Sequence, residues 1–272
     1  MKSQTPGQIE NAKDRFSSRV TDYVRYRPRY ATEIFQWLRE EVEACEGATL
    51  RAADIGAGTG ISTEHLLQAG FAVDAVEPNT EMREALLAQH GWRQGTQPAA
   101  ELRVVNGSAE ATGLAAASVG LILAAQAFHW FEPKATRLEF QRLLRRPGIV
   151  AMLWNDRRTT GTEFLERYED LLVRRGLDYA QVNHKQWDES RLSKFLSEGG
   201  SPMRTRSWES HQDLDWESLV GRVASSSYMP GRGDAGFARM QDELEEIFRA
   251  CASSEGRVRM SYDTRVFLAR WA

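Results

Sequence analysis

Asp54-Ile55-Gly56-Ala57-Gly58-Thr59-Gly60 is the stretch of this 272-residue chain best suited to chemistry by residue type and spacing. Alternate glycines let a backbone turn tightly and approach a ligand with no Cβ in the way. Glu77 ends the next apolar run, 21 residues beyond Gly56, which is close to the spacing at which a carboxylate holds two ribose hydroxyls. Together these features indicate a nucleoside ligand. Asp54 narrows the choice, because a carboxylate just before the first glycine repels a pyrophosphate and attracts an ammonium. A nucleoside ending in a cationic amino acid is therefore favoured over NAD or FAD, with a nicotinamide-dependent oxidoreductase as the weaker alternative.

Such a loop needs a strand before it and a helix after it. Short apolar runs at Leu50–Ile55, Phe71–Val76, Leu102–Val105, Val119–Ala125 and Ile149–Trp154 lack strict alternation, as strands buried on both faces do. Between them, Ser62–Ala69, Glu81–His90 and Lys134–Arg145 have helical spacing, Pro147-Gly148 is a stop signal, and Gly91–Ala100 reads as a surface loop. The pattern predicts an α/β fold with a mostly parallel sheet. Charged helical segments follow at Glu163–Arg175, Glu189–Leu196, Trp216–Ala224 and Asp234–Ala252. Strand-like pieces at Arg204–Ser210 and Thr264–Ala269 complete the sheet. Residues 1–48 are expected to be an N-terminal helical segment, 49–156 the ligand-binding core, and 157–272 a helical cap with the final strands.

Composition limits the remaining possibilities. A hydrophobic share of 42% supports a real core, and a net charge of -3 offers no global field for a polyanion, so nucleic acid is not an expected partner. Cys45 and Cys251, the only cysteines, lack metal-ligand spacing, so no metal is expected. No run of about 18 apolar residues occurs, and the start of the chain lacks an apolar targeting core. The expectation is a cytoplasmic protein without a membrane partner, as monomer or homodimer.

Several motifs taken together resemble the class I S-adenosylmethionine-dependent methyltransferases, and within them the small-molecule branch that includes trans-aconitate methyltransferase-like proteins. They are Phe16–Tyr30 (FSSRVTDYVRYRPRY), Asp54–Gly60 (DIGAGTG), Val76–Met82 (VEPNTEM), Gly107–Glu110 (GSAE), Ala125–Phe131 (AQAFHWF) and Leu153–Asp156 (LWND). The resemblance implies a Rossmann-like, seven-stranded sheet with helices on both faces. S-adenosylmethionine would be the cofactor and S-adenosylhomocysteine the product. By position, Asp54, Gly56, Gly58 and Thr59 would surround the methionine portion, Glu77 would hold the ribose, and Pro78 and Met82 would frame the adenine. Ser108, Ala109 and Glu110 would line its other side, with Gln126 and Ala127 ending the fourth strand beside it. The family folds an N-terminal helix over the cofactor, where Arg27 would bind its carboxylate and Tyr23 or Tyr26 would close the site. Gly120 and the single glycine of Pro147-Gly148-Ile149 depart from the family pattern.

A methyl acceptor needs alignment and exclusion of water more than acid–base help. A carboxylate acceptor is already nucleophilic, whereas a hydroxyl would use a base, for which His129 is the candidate, either removing the proton or only positioning substrate. Phe128, Trp130 and Trp154 could form aromatic walls, and Asn155 and Arg157, after the fifth strand, could orient an acidic acceptor. The sequence thus points to methyl transfer to a small molecule, with oxygen the favoured atom. The alternative is a non-catalytic module that binds the cofactor.

Overall fold

A computed structural model describes residues 20–90, 102–177, 179, 189–198 and 200–272. Gly91–Ala100 and the first residues of the Phe16–Tyr30 motif lie outside that set. Helices α1 (Val20–Tyr26) and α2 (Thr32–Glu43) precede β1 (Arg51–Ile55), α3 (Ile61–Gln68), β2 (Ala72–Val76), α4 (Thr80–His90), β3 (Leu102–Val105) and β4 (Val119–Ala125). A 3₁₀ turn (Phe128–Trp130), α5 (Pro133–Leu143), β5 (Leu144–Arg157), α6 (Glu163–Arg175), α7 (Glu189–Ser197) and β6 (Arg204–Leu214) follow. The chain ends with α8 (Trp216–Ala224), α9 (Phe237–Cys251) and β7 (Val258–Trp271).

The described strands form one seven-stranded sheet in the order β3-β2-β1-β4-β5-β7-β6. β1 pairs in parallel with both β2 and β4, and β2–β3 and β4–β5 are parallel too. This is the Rossmann-like α/β arrangement expected from the sequence, and its reversal of strand order between β1 and β4 creates a crevice at their C-terminal ends. Alternate strand residues feed two cores. Ile55, Ile122 and Met152 pack with Phe140 of α5 and Phe195 of α7. Ala52, Leu121 and Ala151 pack with Phe35 and Leu38 of α2 and Leu66 of α3. Buried Asp74 on β2 accepts from Arg51 on β1 and Arg103 on β3, each at 2.8 Å, which fastens three strands together.

Three strands differ from expectation. β5 begins at Leu144 rather than Ile149, straight after α5, and its pairing with β4 shifts register between Val119 and Leu121. A Cβ on Gly148 would stand 2.6 Å from the Arg145 carbonyl oxygen, so this irregular stretch needs its glycine. β7 begins at Val258, because the apolar and polar residues from Val258 to Thr264 alternate in burial. β6 likewise runs on to Leu214. Gly120 has a tight cause: a Cβ there would lie 2.2 Å from the Thr49 carbonyl oxygen.

The chain divides into two compact units. The sheet unit comprises residues 29–155, 185–208 and 264–272; the helical unit comprises 1–28, 156–184 and 209–263. The helical unit has its own core, in which Leu171, Leu172, Leu219, Met240 and Leu244 are fully buried.

Candidate functional site

The loop after β1 carries three left-handed glycines, with φ of 72° at Gly56, 57° at Gly58 and 91° at Gly60. Only glycine adopts such values cheaply. A Cβ on Gly56 would stand 2.6 Å from the Ala127 Cβ, so the loop presses directly against the end of β4. A Cβ on Gly58 would meet nothing within 4 Å. The loop thus has one face packed on the protein and one face open, as a backbone cradle for a ligand requires.

Glu77 fixes that cradle. Its Oε2 accepts from the Gly58 amide at 2.9 Å, and its Oε1 from the Asn79 amide at 2.8 Å. Asn79 in turn caps α4, its Oδ1 accepting from the Met82 amide at 2.9 Å, while Arg83 donates to the Glu77 carbonyl at 2.8 Å. Pro78 is half-buried and Met82 buried beside this turn. Asn79 and Arg83 were not singled out in the sequence, although the first stands where an Asx cap precedes a helix. Ser108 and Ala111 form an isolated bridge that closes the turn after β3, Ala109 is buried, and Glu110 accepts from the Glu132 amide at 2.8 Å.

Asp54 is held within the protein at the base of the loop. Its Oδ2 accepts from Ser62 at 2.8 Å and Thr63 at 2.7 Å, and the residue is fully buried beneath the loop at the start of α3. Burial pushes the carboxyl up to about 6, against the two hydroxyl bonds and with a contribution from Glu77. Its Oδ1 has no hydrogen-bond partner. Thr59 is buried within the same loop.

At the end of β4, Gln126 adopts a left-handed φ of 57°, uncommon for a residue with a side chain and a mark of imposed local geometry. Its amide donates to the Leu153 carbonyl at 2.8 Å and its side chain to the Asn155 carbonyl at 3.2 Å. Buried Asn155 accepts from Thr264 at 2.8 Å. His129 is half-buried on the 3₁₀ turn, its ring 4.8 Å from that of Trp130, which is exposed. Phe128 and Trp154 belong to the core instead of a free wall: both are buried, with edge-on ring contacts to each other and to Phe195 or Phe267. Trp130 therefore remains the aromatic candidate for an acceptor.

Tyr23, Tyr26, Arg27 and Arg157 belong to the helical unit. Tyr26 is buried, and its hydroxyl donates to Glu217 at 3.0 Å. Arg27 lies over the Tyr23 ring and donates to the Ser225 carbonyl at 2.9 Å. Arg157 lies over the Tyr168 ring and is paired with Glu169. Among the described residues no helix is long and apolar enough to cross a membrane, and no cluster of three metal-ligating side chains occurs.

The sequence family described as "Methyltransferase domain" matches residues 53–152, which hold the loop, Glu77, the turn after β3 and the end of β4. Over these residues the chain is similar to methyltransferase domains. An uncharacterized methyltransferase of Mycobacterium tuberculosis (strain ATCC 25618 / H37Rv) is 38% identical over 142 residues, 52% of this chain and 52% of the relative. The chain thus spans about half the length of that relative. An uncharacterized methyltransferase-like protein of Schizosaccharomyces pombe is 27% identical over 255 residues, 93% of each chain. A solved structure from Anaeromyxobacter dehalogenans, described as a candidate type II methyltransferase, has the same fold. Its TM-score is 0.62 at 22% identity, covering 90% of this chain and 98% of that one.

Proposed function

We propose that the whole chain is an enzyme that transfers a methyl group from S-adenosylmethionine to oxygen of a small-molecule acceptor, in the branch that includes trans-aconitate methyltransferase-like proteins. The observation that carries the reading is the open glycine cradle tied to Glu77 by the Gly58 amide and packed on Ala127. When bound, the cofactor supplies a methyl group made electrophilic by its sulfonium. Glu77, oriented by two amides, accepts from ribose hydroxyls. Gly56, Gly58 and Thr59 leave backbone to face the amino-acid end, while Asp54 beneath them contributes negative charge that favours its ammonium. Pro78 and Met82 take one side of the adenine, and Ser108, Ala109 and Glu110 the other.

On the acceptor side, Trp130 offers an apolar surface that keeps water away, and His129 beside it takes the proton of a hydroxyl acceptor or orients a carboxylate one. The left-handed turn at Gln126 sets the start of that segment against the loop. The test is transfer of labelled methyl from S-adenosylmethionine to a panel of small hydroxyl compounds and carboxylic acids, analysed for the site of attachment. A methyl ester or ether is expected; tight cofactor binding with no transfer to any of the panel would overturn the reading.

A further inference from the structure

Two links from α5 and its cap hold the turn that follows β3. Glu139, whose side chain is 9% exposed, accepts at Oε1 from the Thr112 amide at 2.9 Å and from the Thr112 hydroxyl at 2.5 Å. Arg142 donates to the same carboxylate, to Oε1 at 2.7 Å and to Oε2 at 2.8 Å. Thr112 is fully buried, and its hydroxyl accepts from the Leu114 amide at 3.2 Å. Glu132 caps α5 by accepting from the Lys134 and Ala135 amides, while its own amide donates to Glu110 at 2.8 Å. The turn is thus tied to α5 at Glu110 and again at Thr112.

The turn itself is closed. Ser108 and Ala111 exchange amide-to-carbonyl bonds at 3.2 Å, and a Cβ on Gly107 would stand 2.6 Å from the Thr112 carbonyl oxygen. Residues 107 and 112 are pressed together at its base, so what fixes Thr112 fixes Ser108 to Glu110. Ala109 and Leu114 are buried in one core with Phe140 of α5, so apolar packing already seats the turn. Glu139 adds direction. Packing is non-directional, whereas four hydrogen bonds on one carboxylate specify a single arrangement. The bonds from Arg142, and then those from Thr112, outweigh burial and hold the Glu139 carboxyl down to about 2, so at neutral pH it is charged and only accepts. The turn, α5, the glycine loop and Glu77 all belong to the sheet unit.

We infer that Glu139 is a positioning residue for the nucleobase: through Thr112 it holds Ser108, Ala109 and Glu110 in the shape that reads the adenine edge, and so sets the preference for adenine over other bases. This rests on the methyltransferase reading above, in which adenine lies against those three residues; the tie between Glu139 and the turn does not. Hypoxanthine replaces the exocyclic amine of adenine by a carbonyl and its N1 acceptor by a donor. A turn held in one shape rejects that exchange, because its polar groups would be left unpaired, while a slack turn adapts to either base.

Calorimetric titration of the full chain with S-adenosylhomocysteine and with S-inosylhomocysteine gives the ratio of the two dissociation constants. Wild type should prefer the adenine ligand at least tenfold. Glu139→Ala should weaken adenine binding at least tenfold and change the affinity for the inosine ligand less than threefold, so that the preference collapses. Glu139→Gln keeps an oxygen for Thr112 and should restore most of the preference; Arg142→Gln leaves both Thr112 bonds in place and should hold it within twofold. Equal weakening of both ligands is what a merely structural role produces, and it would overturn the inference. So would a wild type indifferent to the base, a Glu139→Ala variant that binds both ligands as wild type, or an Arg142→Gln variant that loses the preference as fully as Glu139→Ala. Hydrogen exchange on the wild type covers the case of a misfolded variant: S-adenosylhomocysteine should slow exchange over residues 107–114 more than S-inosylhomocysteine does, and equal or absent slowing counts against the assignment. Wild type that binds neither ligand would overturn the methyltransferase reading and this inference with it, whereas tight S-adenosylhomocysteine binding without base preference overturns the inference alone.

Discussion

Asp54 lies at the point where fold and ligand make opposite demands. Its folded carboxyl titrates at about 6 rather than 3.8, with burial the first cause, so the protonated form is the one the fold favours. That stabilisation is complete below about pH 4 and lost as pH rises through 6, leaving ~3 kcal/mol of load on the ionised form at neutral pH. A cationic ligand relieves the load. S-adenosylmethionine should therefore bind more tightly as pH rises from 5 to 7, and Asp54→Asn should flatten that dependence while raising the melting temperature of the free protein at pH 7. Calorimetric titration across pH checks the first and thermal melts the second; unchanged pH dependence in the variant would show that Asp54 does not sense the cofactor. Glu77→Ala removes both the proposed ribose acceptor and the anchor of the Gly58 amide, and should weaken S-adenosylmethionine binding by about 2 kcal/mol, roughly 30-fold. Both residues were legible in the sequence because a loop and a strand end fix them. The burial of Asp54 against Ser62 and Thr63 was not, since glycine spacing says where a backbone turns but not which way a neighbouring side chain faces.

At the scale of elements, the parallel half of the sheet was readable because each strand is a short apolar run buried on both faces, β3 and β4 matching to the residue. The extensions of β5 and β7 were harder, since half of their added residues are polar and their pairing partners come from distant sequence. Helix α1 shows the same limit. Its seven residues dock through Tyr26 on Gly221, and nothing near Val20 announces a partner in α8. Gly221→Ala should cost about 1–3 kcal/mol by forcing the two helices apart. Adding Tyr26→Ala should return part of that loss, because the clash is with its ring; urea denaturation of the two single variants and the double variant measures the coupling. Strictly additive losses would mean that α1 does not press on Gly221 in solution.

For the molecule as a whole, separate cores in the sheet unit and the helical unit imply separate stabilities. The loop, Glu77 and the end of β4 all lie in the sheet unit. S-adenosylhomocysteine should accordingly raise the higher or lower of two calorimetric transitions and leave the other in place, with a gain of ~2.7 kcal/mol at a hundredfold excess over Kd. One transition moving as a block would show the units to be energetically one. The composition of the helical unit carries a further consequence, for the order in which a chain leaving the ribosome can fold. Tyr26 and its hydrogen-bond partner Glu217 are 191 residues apart. At roughly 5–20 residues per second, synthesis leaves α1 without its docking helix for about 10–40 seconds. The sheet's first four strands are complete by Ala125, so the ligand-binding core can gather while the aromatic and basic N-terminal stretch is still unclaimed. Helix α1, made early, is among the last of the described elements to find its place, and nascent chains arrested before Trp216 should be cut by protease at residues 20–26 while residues 51–90 and 102–125 resist.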